Sequence, residues 1–234
     1  RELAGDGLPP GALGADDLTD ATEVAGALWD GAVERGYDRE RMQPYRGSVT
    51  VGGLLVEGSV SANPEQAHLF TVTASRIKGK RRLRAFAELV FLAALEPDHP
   101  WESHLLGKRE RYGEHLAVCI GPLPGTATER GSQAVELLGE LVALYEEGLN
   151  NPIPLPCETA YGWQRNLGSG RGKAWGTAMS AWETDRFNPE AKDAAHELLL
   201  GGTLSFRELF DLGFEDYCAR LWAPIIGLMG EKNL

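Results

Sequence analysis

Residues 47–73, GSVTVGGLLVEGSVSANPEQAHLFTVT, and the run that follows them at 81–95, RRLRAFAELVFLAAL, decide the fold class. In the first stretch Val49, Val51, Val60, Phe70 and Val72 are separated by Gly52, Gly53, Gly58 and the Asn63-Pro64 pair. β-Branched and aromatic residues broken by turn formers predict two or three short strands joined by tight connections. The second stretch is apolar around most of its circumference, interrupted by Glu88, and reads as a core helix. Glu96-Pro97 stops it, because proline cannot continue a helix and biases its predecessor towards extended backbone. Short strands feeding a core helix imply a small central sheet packed by many helices, an α+β (mixed α/β) architecture.

The sequence before this pair of stretches reads as helical over 1–46. Ala21, Val24, Leu28, Ala32 and Val33 recur at helical spacing between a Pro9-Pro10-Gly11 break and Gly36. After it, residues 114–120 form a short apolar run expected to be a buried strand, closed by Gly121-Pro122. Thr126 and Glu129 have capping-box spacing, and the helix they open is predicted to bury Ala134, Leu137, Leu138, Leu141, Val142 and Tyr145. Residues 151–156, NPIPLP, predict an extended strut. Everything from 157 to 234 reads as helical. One helix starts at Asn188-Pro189 and ends at Gly201-Gly202, a second capping box joins Ser205 to Glu208, and a last helix containing Pro224 is expected to kink there. We expect one domain over 1–234, made of a helical segment at 1–46, a sheet with helices at 47–150 and a helical segment at 157–234.

The 234 residues are 43% hydrophobic and 24% charged, with no apolar run long enough to span a bilayer. The start at Arg1 suggests a piece of something longer. Cys119, Cys157 and Cys218 are odd in number and far apart, which favours reduced structural thiols in a cytosolic protein. The formal net charge of −11 argues against a surface that binds nucleic acid everywhere. Yet residues 76–84 hold Arg76, Lys78, Lys80, Arg81, Arg82 and Arg84. Cations at a helix start oppose the helix dipole and cost a few tenths of a kcal/mol each, and an anionic ligand such as phosphate would reverse that cost. A solvated charged face, or pairing with acids such as Glu88, is the plainer alternative. Lys108, Arg109 and Arg111 form a second basic segment around Glu110.

Other chemistry is thin. Residues 168–173, GSGRGK, lack the phosphate-loop pattern, since Ala174 follows Lys173. A basic loop is the better reading, with Arg171 and Lys173 as further phosphate contacts. Trp175 and Trp182, seven apart, read as core packing more readily than as a base-stacking platform. His68, His99, His104, His115 and His196 show no metal-ligand spacing, and His99 and His104 are expected in a loop around Pro100-Trp101. No metal site and no catalytic group are expected.

Several phrases together are similar to one family. LPPGALG at 8–14, KGKRRLRAF at 78–86, LYEEGL at 144–149 followed by PIPLP at 152–156, and ARLWAPI at 219–225 resemble, in order, signatures of the C-terminal domain of RecC. RecC is the non-motor subunit of the bacterial exodeoxyribonuclease V (RecBCD) complex. The resemblance implies a fold similar to PD-(D/E)xK nucleases that serves a structural role. Such a domain helps split duplex DNA and guides the separated strands, while partner subunits use ATP and magnesium. It also implies RecB, RecD and the rest of RecC as partners, duplex ends and single strands as ligands, and the bacterial cytoplasm as location, with no membrane contact and no cofactor in this domain.

A nuclease of that type needs an Asp near the end of one strand and an (Asp/Glu)-x-Lys on the next, so that carboxylates hold Mg²⁺ and Lys positions the attacking water. Residues 69–75, LFTVTAS, carry no acid, and Glu57 is the sole carboxylate in the preceding strand region, where Gly58 marks it as a turn residue. The expectation is a catalytically empty module whose DNA-binding candidates are the six cations of 76–84 with Arg171 and Lys173. A residual metal-dependent nuclease around Glu57 and a pure protein-interaction module are the alternatives.

Overall fold

A computed structural model describes residues 12–108, 115–184 and 189–233. The opening phrase at 8–11, the cations Arg109 and Arg111, and Asn188 lie outside them. The chain runs α1 (Ala12–Glu34), β1 (Gln43–Val51), β2 (Leu54–Asn63), β3 (His68–Arg76), α2 (Gly79–Leu95), β4 (Glu102–Lys108) and β5 (His115–Ile120). It continues through α3 (Ala127–Asn150), α4 (Cys157–Leu167), α5 (Arg171–Met179), α6 (Ala194–Leu200), α7 (Phe206–Asp211) and α8 (Phe214–Leu228) to β6 (Met229–Asn233). The strands form one six-stranded sheet in sequence order. All neighbours are antiparallel except β3 and β4. A parallel pair needs a crossover, and α2 supplies it. The fold is α+β, as the alternation of short strands and long apolar helices predicts.

Gly52 and Gly53, both at positive φ (58° and 85°), make the two-residue connection that holds β1 and β2 in register from Gln43↔Ala62 to Val51↔Leu54. This ribbon touches β3 only through Ala62↔Leu69 and Asn63↔His68. Elsewhere it leans on α2. Gly47 and Gly58 face each other in register. A Cβ on Gly47 would lie 2.6 Å from Leu95 Cδ1, and one on Gly58 3.1 Å from Phe91 Cζ. The missing side chains are what let α2 press so closely. Glu57 is therefore no turn residue: it sits in mid-strand opposite Ser48, exposed. The role of Gly58 is close approach to a helix, which in sequence looks the same as a turn.

One face of the sheet is covered throughout, and α1 covers β3 and β4 on the other. On one, α2 buries Phe86, Leu89, Val90 and Leu92 in a core that continues into Leu105, Leu138, Trp163 and Trp222. On the other, Leu28 and Ala32 of α1 meet Leu106, flanked by Val24, Tyr37 and Phe70. Side chains alternate across a strand, so Glu102, His104 and Leu106 of β4 turn towards α1 while Ser103, Leu105 and Gly107 turn towards α2. Between Val72↔Leu106 and Arg76↔Lys108 the β3–β4 register shifts, with four residues advanced on β3 for two on β4. Gly107 lies beneath this arch, where a Cβ would come within 2.8 Å of the Ser75 carbonyl oxygen.

Several expectations fail for physical reasons. His104 is in β4, not in a loop; ESHLLGK opens with polar residues that disguise a strand. Residues 229–233, MGEKN, are not helical but pair with β5 as β6. An edge strand needs only its backbone to pair, and these side chains carry little β signal. Pro189 precedes a single 3₁₀ turn, Glu190–Lys192, and the α-helix starts only after Asp193, whose carboxylate accepts from Ala195 N at 2.9 Å. Tyr145 is 68% exposed, and Leu144 is the buried residue of that turn of α3. The two capping boxes, Thr126 with Glu129 and Ser205 with Glu208, form as their spacing predicts. The helix α8 runs on through Pro224. Among the described residues no helix is long and apolar enough to cross a membrane.

Candidate nucleic-acid interface

The β3–α2 junction brings five of the six clustered cations to one open groove of about 1040 Å³, lined by Arg76, Lys78, Lys80, Arg81 and Arg84. Lys192, Glu158, Glu190 and Asp193 stand among its other walls. The three acids are already engaged at helix starts. Glu158 Oε2 accepts from the Gly79 amide at 3.0 Å, capping α2 from outside. Glu190 accepts from the Glu158 and Thr159 amides at 3.0 and 2.7 Å, capping α4. Asp193 caps α6. The orphan amides that would have favoured a phosphate on α2 are thus met by a carboxylate of the same chain. Burial lifts the Glu158 carboxyl above its ordinary range, the Gly79 amide opposes that rise, and Glu190 adds to it. What remains for a ligand is the cations: Arg76, Lys78, Lys80 and Arg84 are exposed and Arg81 is half-buried. Arg84 pairs with Glu88 at 2.8 Å, so for that one residue the plainer alternative holds. Lys108 ends β4 in register with Arg76, so the second basic segment begins beside the first.

The sixth cation is of a different kind. Arg82 is 3% exposed. It donates to the Ile77 carbonyl and to Glu231 Oε1 at 2.9 Å, and its guanidinium lies 4.6 Å from the Tyr161 ring centre. Arg165 reaches the other oxygen of Glu231 at 2.5 Å. Arg82 thus fastens α2 to β6 and α4 and stands apart from the groove surface. Burial pushes the Tyr161 hydroxyl up to about 12. Of the other candidates, Arg171 is held by Glu215 in a two-pronged pair at 2.6 and 2.7 Å and lies over Trp163, while Lys173 is exposed. Neither lines the groove. Trp182 is buried and donates to the Leu204 carbonyl, and Trp175 packs on Phe206 and Phe210, which is core packing.

A second polar cluster, which spacing alone does not reveal, lies on the α1 face. His68 and Glu102 are register partners across β3–β4, and His104 follows two residues later on β4. Glu102 Oε2 lies 3.5 Å from His104 Nε2 and 3.9 Å from His68 Nε2, and the two rings are 4.3 Å apart. Cys119, opposite His104 on β5, donates its S–H to the same Glu102 oxygen at 3.5 Å. Burial, then the neighbouring His68 and Arg35 charges, drops His104 to about 4, so its ring is neutral at physiological pH. The three side chains stand 34 and two residues apart in sequence and meet only through a parallel pairing that periodicity cannot foretell.

The RecC C-terminal domain family model matches residues 1–168. The RecBCD enzyme subunit RecC of Mycobacterium tuberculosis is 30% identical over 239 residues, covering 96% of this chain and 21% of the relative. That of Mycolicibacterium smegmatis is 33% identical over 163 residues, covering 67% of this chain and 14% of the relative. The chain spans about a fifth of the length of the M. tuberculosis relative it matches. A family match over most of the chain, with the ordered phrases that bracket the cationic groove, assigns this chain to the RecC C-terminal domain family.

Proposed function

We propose that this domain is a non-catalytic, DNA-guiding and scaffolding element of the RecC subunit of the RecBCD helicase–nuclease, acting in double-strand break repair by recombination and in DNA degradation. The observation that carries the reading is the groove at the β3–α2 junction, where cations face solvent and the neighbouring acids are turned to helix caps. Backbone phosphates are the ligand this chemistry suits, because Lys and Arg neutralise them without reading sequence. The partners would be RecB, RecD and the remainder of RecC, the nucleic acid a duplex end or its separated strands, and the compartment the bacterial cytoplasm. ATP and magnesium would be used by those partners. The nuclease-like character proposed for the sheet is that of an emptied fold: β3 carries no acid, and Glu57 stands alone on an exposed ribbon.

The test is DNA affinity of the assembled complex against salt. Replacing Arg76, Lys78, Lys80 and Arg81 with Ala should weaken binding uniformly across sequences. It should also lower the salt slope by about one for each phosphate no longer neutralised. Unchanged affinity and slope would remove the groove from the DNA path. Scaffolding is supported by exposed apolar side chains such as Leu198, 83% exposed, and Leu149, 68% exposed, which suit contact with the rest of an assembly.

A further inference from the structure

We infer that His68, Glu102 and His104 form a binding site for a borderline divalent transition metal of the Zn²⁺ class, on the α1 face of the sheet and separate from the DNA groove. The ligand atoms of these three side chains all lie within 4.8 Å of one another, each on a half-buried residue. Their present partners are poor. His68 Nδ1 and His104 Nε2 are buried with no hydrogen-bond partner. The 3.5 Å between His104 Nε2 and Glu102 Oε2 is an ion-pair distance without hydrogen-bond alignment. Buried polar atoms left unpaired cost free energy, and two imidazoles beside a carboxylate are the donors that a tetrahedral ion at about 2.0–2.1 Å from each would satisfy.

The framework is rigid where it needs to be. All three residues lie on the in-register stretch of β3–β4, His68 opposite Glu102 and Phe70 opposite His104. The Phe70 ring stacks on His104 with centres 5.2 Å apart, fixing its plane. A cavity of about 410 Å³ adjoins the cluster, lined by Glu34, Arg35, Glu102, His104, Cys119 and Gly230 among others, so a fourth position can be reached from solvent. Water or the Cys119 sulfur, opposite His104 in register, would complete the coordination. The donor set selects against Mg²⁺ and Ca²⁺, which take oxygen ligands, and for ions that accept imidazole nitrogen. The site is therefore not a displaced nuclease centre, and it does not depend on the DNA-guiding reading.

The chain is stripped of metal with a chelator and titrated with Zn²⁺ against a chromophoric competitor, in parallel with Co²⁺ followed by its visible absorption and with Mg²⁺. Cys157 and Cys218 are replaced by Ser in one arm to remove stray thiol sites. One Zn²⁺ per chain at an affinity on the order of micromolar or tighter is expected. Tetrahedral Co²⁺ bands and no response to millimolar Mg²⁺ should accompany it. His68→Ala, His104→Ala and Glu102→Gln should each weaken Zn²⁺ binding by about tenfold or more. Zn²⁺ should raise the melting temperature of the parent chain and not that of the His68→Ala/His104→Ala double variant. If the double variant does not fold, zinc-edge absorption spectra of the parent chain decide the matter: two imidazole nitrogens bound directly to the ion are required. Absence of stoichiometric binding by the parent chain, binding unchanged in a folded double variant, or a coordination sphere without imidazole would each overturn the site.

Discussion

The same two strands, β3 and β4, end in two unlike polar regions. Towards their starts, His68, Glu102 and His104 crowd together half-buried beneath α1. Towards their ends, Arg76 and Lys108 open onto solvent beside Lys78, Lys80 and Arg81. Long cations in water keep their hydration and attract a bulky polyanion through many weak contacts, each screened by salt. Short rings out of water need close, directional partners instead. Burial, more than residue type, separates the two kinds of site, and Arg82 makes the point inside the basic run itself: one cation among six turned inward becomes a fastening.

That contrast can be broken most forcefully at Arg82. Arg82→Ala would remove the bonds to the Ile77 carbonyl and to Glu231, which keeps Arg165, and hydrogen bonds of charged groups are worth about 1.5–3 kcal/mol each. Urea denaturation should show the loss, and a change below about 1 kcal/mol would mean that the inward and outward cations are alike. Next in size is a rate. Cys157 lies against Gly79 at the start of α2, and burial, with Glu158 and Glu190, pushes its thiol up to about 12 although Lys80 pulls the other way. At pH 8 its alkylation in the folded chain should be roughly a thousandfold slower than that of an ordinary thiol, rising tenfold per pH unit with no plateau below about pH 11. A plateau near pH 8 would show that Lys80 outweighs burial at this thiol.

On the other face, Leu106→Ala removes the fully buried side chain under Leu28 and Ala32 and should cost about 2–4 kcal/mol. It should loosen the imidazole cluster while the salt dependence of DNA binding at the groove stays as it was; disruption of both would mean that the two regions are mechanically one. The smallest effect sharpens the comparison from outside. Lys80→Ala, at an exposed groove residue, should change stability by no more than about 0.5 kcal/mol, measured in the same denaturation series as Arg82→Ala.

The two regions also differ in how far the sequence discloses them. The cationic groove is written contiguously, so six bases in nine residues after a strand identify it, and the helix start supplies its geometry. Which of the six turns inward depends on Glu231, 149 residues further on. No local pattern carries that. The imidazole cluster is legible only once β4 is recognised and its parallel register with β3 is known. The helices α2 and α3 are readable because their apolar faces repeat along the chain. The strands β4 and β6 are not, because pairing satisfies their backbones whatever their modest side chains suggest.

The arch between Val72 and Arg76 gives β3 two residues more than β4 uses over the same span. Ser75 N is met by the Thr73 hydroxyl at 3.2 Å, a local bond where a ladder bond would otherwise stand. In dynamic terms this is slack. Amide protons of Thr73 and Ala74 should exchange with solvent well before those of Leu105 and Leu106, whose strand is paired on both sides, as expected if motion at the cationic end is taken up within the arch. The half of the strand that holds His68 in register would then be shielded from whatever the groove is pulled by.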